Sequence, residues 1–274
     1  MVTVSRQMGS GTKVGYARMA LMLLAVFQTF WFGWALHRAE PAPWGDTKDY
    51  NYIADELAQG NLGVISEYYR PPGYPVLLLA SRALNVKPTV AAVVFNRAMA
   101  VAAIALVPTP AGIGVVAGYL LLCSYSTVVS YENFVMSESP MPGFLLLAWV
   151  LGILAYRALV RRRYEVAVAL LGAQYVWLTS LKPAFKGYCV LELCVLGLFC
   201  ALGLPRLARG GYKRVALNVL VLFAFTALVN GVVFRNSGGV PMVLNKAITL
   251  VHVLPFLTPG QVAALPPKVQ KTYG

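Results

Sequence analysis

Apolar residues run through this chain in blocks long enough to cross a bilayer, and polar residues collect in the joints between them. The blocks fall at 19–36, 88–107, 110–131, 141–159, 165–181, 187–204 and 215–234. Each is near the ~20 residues that cover a ~30 Å hydrocarbon core as a helix, so seven spanning helices are predicted. A further apolar stretch at 76–84 would reach only ~14 Å at ~1.5 Å per residue. It cannot span, and its placement sets the topology of everything after it.

The basic residues decide that placement. Arg6, Lys13 and Arg18 precede the first block, Arg161, Arg162 and Arg163 follow the fourth, and Arg206, Arg209, Lys213 and Arg214 precede the last. Short loops rich in Lys and Arg stay cytoplasmic. All three clusters fall on that side only if 76–84 is an interfacial or re-entrant helix. The first block is long for a signal-peptide core, and no small-x-small cleavage site follows it, so it reads as a membrane helix. The N-terminus is then cytoplasmic. The first outer loop is 37–87, and the outer tail is 235–274. That tail stops without an obvious end element, which leaves a truncated chain open.

The same topology gathers the acids on the non-cytoplasmic face. The polar stretch 44–75 holds Asp46, Asp49, Asp55, Glu56 and Glu67, half of the ten acidic residues. Glu40, Glu132 and Glu138 join them there, while Glu165 and Glu192 lie inside helical blocks. Within the stretch, 46–59 has helical spacing, with Tyr50, Ile53, Ala54 and Leu57 on one face and Gly60 as a stop.

Composition narrows the class. With 58% hydrophobic and 12% charged residues and a mean hydropathy of +0.66, an ordinary soluble domain is excluded. The expected fold is an all-α integral membrane protein, a single transmembrane domain over 1–274. The net charge of +13 is spread between apolar blocks instead of forming one basic face, so no nucleic acid is expected as a partner. Cys123, Cys189, Cys194 and Cys200 all sit in apolar blocks without ligand spacing and read as reduced packing residues. Two histidines, His37 and His252, make a His-based metal cluster or a Ser-His-Asp triad improbable. No metal ligands are assigned. A divalent cation beside the carboxylates is allowed by the pattern but not required by it.

Candidate chemistry lies on the outer face, and each residue has a plainer role beside it. Asp46, with Asp49 in reserve, could take a proton from a hydroxyl at the membrane surface. Asp46 also sits at an N-cap position, and Asp49 would favour the positive end of the same helix. Arg70 precedes two prolines, and a fixed guanidinium at the lipid boundary suits a phosphate; snorkelling to anionic head groups is the alternative. Lys182 and Arg235, followed by Asn236, place cations on the face where the positive-inside trend disfavours them, either for binding or for anchoring. Glu138 opens a helix, where it can serve the dipole or the chemistry. Trp31, Trp34, Trp44, Tyr68, Tyr69 and Tyr74 form an interface belt from which some rings could stack on a sugar.

The order GDTKDYNYIADELAQG, YYRPPGYPVLLLASRAL, MSESPMPGFLLLA, SLKPAF and VFRNSGG resembles the GT-C glycosyltransferases related to protein O-mannosyltransferases and the aminoarabinose transferase of lipid A, a family 39-like group. The resemblance runs from about residue 20 to 240. It implies a GT-C-like helical bundle and a polyprenyl-phosphate sugar donor. It makes Asp46 the catalytic Asp, with Tyr50 following it, and Arg70 with Tyr74 the segment shaping the donor site. Glu138 takes the Ser-Glu position, and Arg235 with Asn236 the later loop. Lys182-Pro183 stands where the family has Arg-Pro, which keeps the charge but loses paired donors. The family is usually longer and often carries an outer domain.

The reading is therefore a membrane glycosyltransferase in a bacterial-type inner membrane. It would move a sugar from a polyprenyl-phosphate donor to an acceptor hydroxyl at the outer face, inverting, with Asp46 as general base. The lipid bilayer is a partner, and the acceptor, whether protein, lipid or glycan, is unidentified. A transporter or flippase for a lipid-linked sugar and a non-catalytic membrane subunit are the rivals.

Overall fold

The computed structural model describes residues 3–43, 46–67, 70–182 and 211–233, all within the unit Met1–Gly238. In order these form α1 (Thr3–Arg38), β1 (Ala42–Pro43), α2 (Thr47–Ala58), α3 (Val64–Glu67), α4 (Gly73–Ala83), α5 (Pro88–Leu106), α6 (Pro110–Leu122) and α7 (Ser126–Glu132). After these come β2 (Phe134–Val135), α8 (Met141–Val160), α9 (Tyr164–Leu181) and α10 (Gly211–Leu228), the last running into a π-helical turn at Val229–Val233. Apart from one bridge of two-residue strands, every regular element of the described residues is helical, as expected of an all-α membrane protein.

Among the described residues three helices, Val14–Arg38, Pro88–Leu106 and Met141–Val160, are long and apolar enough to cross a membrane, and a fourth span results if α6 and α7 count as one. Helices α9 and α10 form where blocks five and seven were expected, and 187–204 lies outside the described residues. The stretch at 76–84 is part of α4, 11 residues long, too short to span as the sequence implied. The first helix begins at Thr3, well ahead of the apolar block, because no proline interrupts 3–18.

The expected continuous helix at 110–131 is instead broken. Helices α6 and α7 meet at 75°. The break persists because other helices satisfy the carbonyls it releases. The Gln28 side-chain amide donates to the Leu120 carbonyl at 3.0 Å and to Ser124 Oγ at 2.7 Å, and Arg97 Nη2 donates to the Cys123 carbonyl at 2.9 Å. An unpaired buried carbonyl would cost several kcal/mol, so these side chains are what makes the bend between α6 and α7 tolerable.

Helix ends follow local rules. Pro88 and Pro110 sit in the first turns of α5 and α6, where the missing N–H does no harm, and Thr109 Oγ1 caps α6 by accepting from Gly112 N at 3.2 Å. Helices α2, α4 and α8 end alike, in a residue with positive φ: Gly60 at 83°, Asn85 at 52° and Arg162 at 57°. In each the next N–H reaches back to the last turn, as Val86 N does to the Ser81 carbonyl at 2.8 Å.

Packing runs α1 on α5, α5 on α8, α8 on α9 and α9 on α10, with α6 covering α1 and α5. One core cluster joins Ala25, Ala100, Ile104, Val116, Leu120 and Val150 in the middle of this layer. At one end, α2 lies on α4, and α4 is wedged against α5 and α9. A second cluster there, Tyr50, Ala54, Tyr74, Leu78, Phe144 and Leu181, fastens α2 and α4 to the bundle. Tyr50, Ile53 and Ala54 are the buried face of α2, as its spacing predicts.

Candidate functional site

Four chain segments distant in sequence end at this second cluster. The parallel bridge between β1 and β2 pairs Ala42 with Phe134 and Pro43 with Val135, which ties the entry to α2 to the entry to α8. Thr47 Oγ1 adds a hydrogen bond to the Val135 carbonyl at 3.0 Å. On the other side, Gly73 begins α4 against the end of α9: a Cβ at this position would stand 2.7 Å from the Ser180 carbonyl oxygen. Only glycine permits that approach, and it carries Arg70 and Lys182, on the two flanking segments, to the same end of the bundle.

Asp46, Asp49, Tyr50, Arg70, Tyr74, Glu138 and Lys182 meet there. The Arg70 guanidinium pairs through Nη2 with Asp46 Oδ1, and its Nε lies 3.5 Å from Asp49 Oδ2. Its central carbon is 5.9 Å from the Tyr50 ring centre. Lys182 Nζ pairs with Glu138 Oε1, and the Ser137 hydroxyl donates to Glu138 Oε2 at 3.0 Å. The Tyr50 and Tyr74 rings meet edge to face with centroids 5.0 Å apart. Arg235 and Asn236 lie outside the described residues, as does Pro183.

The capping role open to Asp46 is not the one its side chain takes. Asp46 occupies the N-cap position with helical backbone angles, φ −86° and ψ −4°, and makes no side-chain cap hydrogen bond. Its carboxylate is turned onto Arg70 instead. Glu138 does not open α8 either. It sits in the turn before it, where its carbonyl accepts from Met141 N at 3.2 Å. Glu132, expected among the acids of the polar face, is fully buried, with 0% of its side chain exposed.

Electrostatics bind the cluster together. Burial pushes the Asp46 carboxyl above its ordinary range, the Arg70 guanidinium pulls it down, and Asp49 and Glu138 push it up again, with Lys182 opposing them. Asp46 therefore feels both ion pairs at once. Burial also pushes the Tyr50 hydroxyl up to about 12, so it serves as a neutral donor or acceptor. Three carboxylates, Asp46, Asp49 and Glu138, face two cations, Arg70 and Lys182, all of them 25–35% exposed. Among the described residues no group of three or more His, Cys, Asp or Glu side chains could hold a metal ion.

An apolar groove of about 270 Å³ adjoins the cluster, lined by Gly73, Val76, Leu77, Phe95, Phe144 and Trp177. The stacked rings of Phe144 and Trp177, 4.2 Å apart, form one wall. Trp177 Nε1 donates to the Phe144 carbonyl at 3.0 Å, so the indole is held in place.

A second polar group, not singled out by the sequence reading, lies behind the cluster. Arg97 and Glu132 pair with 1% and 0% of their side chains exposed. The Asn96 amide donates to Glu132 Oε1 at 2.8 Å and to the Ser139 carbonyl at 2.9 Å, and its Oδ1 accepts from Gly143 N at 2.9 Å. The Ser139 hydroxyl donates to the Tyr131 and Phe134 carbonyls, the first at 2.9 Å and the second at 2.5 Å. The network thus fixes the 131–143 segment that carries Glu138. The signal was present: Asn96-Arg97 interrupts an apolar block, and an ionisable residue inside a span is a site by default.

Comparison with known proteins gives no match: no family model, no curated protein and no solved structure matches this chain.

Proposed function

We propose that this chain is a membrane glycosyltransferase that moves a sugar from a polyprenyl-phosphate donor to an acceptor hydroxyl at the non-cytoplasmic face, with inversion. The observation that carries this reading is the meeting of Asp46, Asp49, Arg70, Glu138 and Lys182 beside an apolar groove. A lipid phosphate has an anionic head and an apolar tail, and this end of the bundle offers cations and an apolar wall next to each other. The motif order that resembles GT-C enzymes points the same way.

In this reading the donor phosphate takes the Arg70 guanidinium in place of its carboxylates, because its two unesterified oxygens offer paired acceptors to a planar fork of donors. Asp46, released, accepts the proton of the acceptor hydroxyl as the new bond forms at the anomeric carbon. The bond from that carbon to the phosphate oxygen breaks, and the lipid phosphate leaves as an anion stabilised by Arg70 and Lys182. No acid is needed for the leaving group, unlike the paired carboxyls of a glycosidase.

The test is sugar transfer in washed membranes supplied with a panel of polyprenyl-phosphate monosaccharides. Transfer by the wild type, reduced at least a hundredfold in Asp46→Asn, supports the reading. Equal transfer in both removes Asp46 from the chemistry. A second reading is favoured by the broken pair α6 and α7 and the buried ions beside it, features that transporters also use. Movement of a lipid-linked sugar between leaflets without transfer would establish that one instead.

A further inference from the structure

A cavity of about 550 Å³ lies on the α7 side of the charged cluster, lined by Ser126, Thr127, Ser130, Tyr131, Phe134, Met136 and Glu138. Its volume falls within the ~300–1,000 Å³ of small-ligand sites. Ser126, Thr127 and Ser130 are spaced to share one face of α7, and all three are exposed. The sequence places these hydroxyls inside what reads as an apolar span, where side chains facing lipid would be apolar. The break after α6 is what frees the segment from that span.

The chemistry of the lining is specific. The Ser126 and Thr127 hydroxyls make no hydrogen bond to a described group, and the Ser130 hydroxyl donates to the Ser126 carbonyl at 2.8 Å, keeping its lone pairs as acceptors. The rings of Tyr131 and Phe134, centroids 6.4 Å apart and inclined at 53°, add an apolar surface, with Tyr131 48% exposed. The one charged group, Glu138, is neutralised by Lys182 and belongs to the charged cluster as well. A wall of hydroxyls that both donate and accept, two aromatic rings inclined to each other and no unbalanced charge do not suit a phosphate, a lipid tail or a charged peptide. They suit a sugar ring, which has hydroxyls at its edge and C–H groups on its faces.

We propose that this cavity binds a carbohydrate acceptor, whose ring lies against Tyr131 and Phe134 while its hydroxyls meet Ser126, Thr127, Ser130 and Glu138. Glu138 is the residue shared between the cavity and the charged cluster, so a sugar held here has a hydroxyl next to the groups that would activate it. The carbohydrate class of the ligand stands on the lining alone. Its role as acceptor rests on the transferase reading.

The experiment is binding without donor. The full chain in lipid nanodiscs is titrated with methyl α-mannoside, methyl β-glucoside and methyl β-galactoside, and saturation-transfer NMR reads the bound sugar. At least one glycoside binds saturably to the wild type. Ser126→Ala, Thr127→Val and Ser130→Ala combined weaken it at least tenfold, Thr127→Val alone several-fold, and Arg161→Gln, at the far end of α8, leaves it unchanged. If the combined variant does not melt as the wild type does, the near-isosteric Thr127→Val decides. The proposal is overturned by no saturable glycoside, by unchanged binding in a folded variant, or by binding of a serine-bearing peptide in place of the sugars. Binding without any transfer activity removes the transferase reading and leaves the carbohydrate site. Transfer that is indifferent to all three hydroxyls does the reverse.

Discussion

Arg97 and Glu132, 35 residues apart in sequence, form an ion pair whose side chains are 1% and 0% exposed, in the angle where α6 breaks into α7. The pair holds the break open and the Glu138 segment in place. Glu132→Gln leaves Arg97 charged and buried without its partner, and should lower stability by roughly 3–5 kcal/mol. Replacing both, as in Arg97→Met with Glu132→Leu, should lower it less, because no charge is then left unpaired. Melting curves of the wild type and the two variants in nanodiscs check the order. A double variant less stable than Glu132→Gln would show that the hydrogen bond of Arg97 to the Cys123 carbonyl, not the pairing, holds the break.

The pH dependence of transfer should reveal Asp46. Burial holds its carboxyl above the ordinary value of 3.8, and only the ionised form can take a proton. As pH falls, kcat/KM should therefore drop through a midpoint higher than that of an exposed carboxylate. In Asp46→Asn this limb should vanish. The linkage has the opposite sign: a raised carboxyl stabilises the folded chain below its unfolded value and loses that contribution as pH rises through the folded one. Asp46→Asn should accordingly melt no lower than the wild type at pH 7, and a lower melting point would count against this account of the carboxyl.

Arg70 should shift that midpoint. The guanidinium lowers the Asp46 carboxyl, so Arg70→Ala should move the acidic limb to higher pH as well as raising the donor KM about tenfold or more, ~1.4 kcal/mol. Arg70→Lys keeps the charge without the planar fork. It should restore most of the pH profile and little of the donor affinity. Identical pH profiles in all three would separate Arg70 from Asp46.

Gly73→Ala tests the packing that brings Arg70 and Lys182 together. Its Cβ would meet the Ser180 carbonyl, which is backbone and cannot swing aside. A loss of roughly 1–3 kcal/mol is expected, with a larger fall in transfer than Leu84→Ala produces at the exposed end of the same helix. A variant as stable and active as the wild type would show that α4 and α9 separate at no cost.

Much of the architecture was legible in the chain because it follows from local rules. Block length and polarity predicted a helical membrane protein. The helical spacing of 46–59 predicted the buried face of α2, and the shortness of 76–84 kept α4 from being read as a span. Asp46, Arg70, Glu138 and Lys182 were also legible as candidates, since charged groups beside prolines and helix ends stand out in an apolar chain.

What the chain by itself could not specify was which of these groups touch. That Arg70 pairs with Asp46 rather than with lipid depends on Gly73 seating α4 against α9 and on the two-residue bridge joining 42–43 to 134–135, contacts between segments far apart in sequence. The break at 123–125 was illegible for the same reason: hydropathy averages over a block, whereas the carbonyls freed there are satisfied by Gln28 and Arg97 on other helices. Local periodicity determines elements and the faces they bury. Long-range packing alone decides where polar groups in an apolar chain find partners, and so where the sites lie.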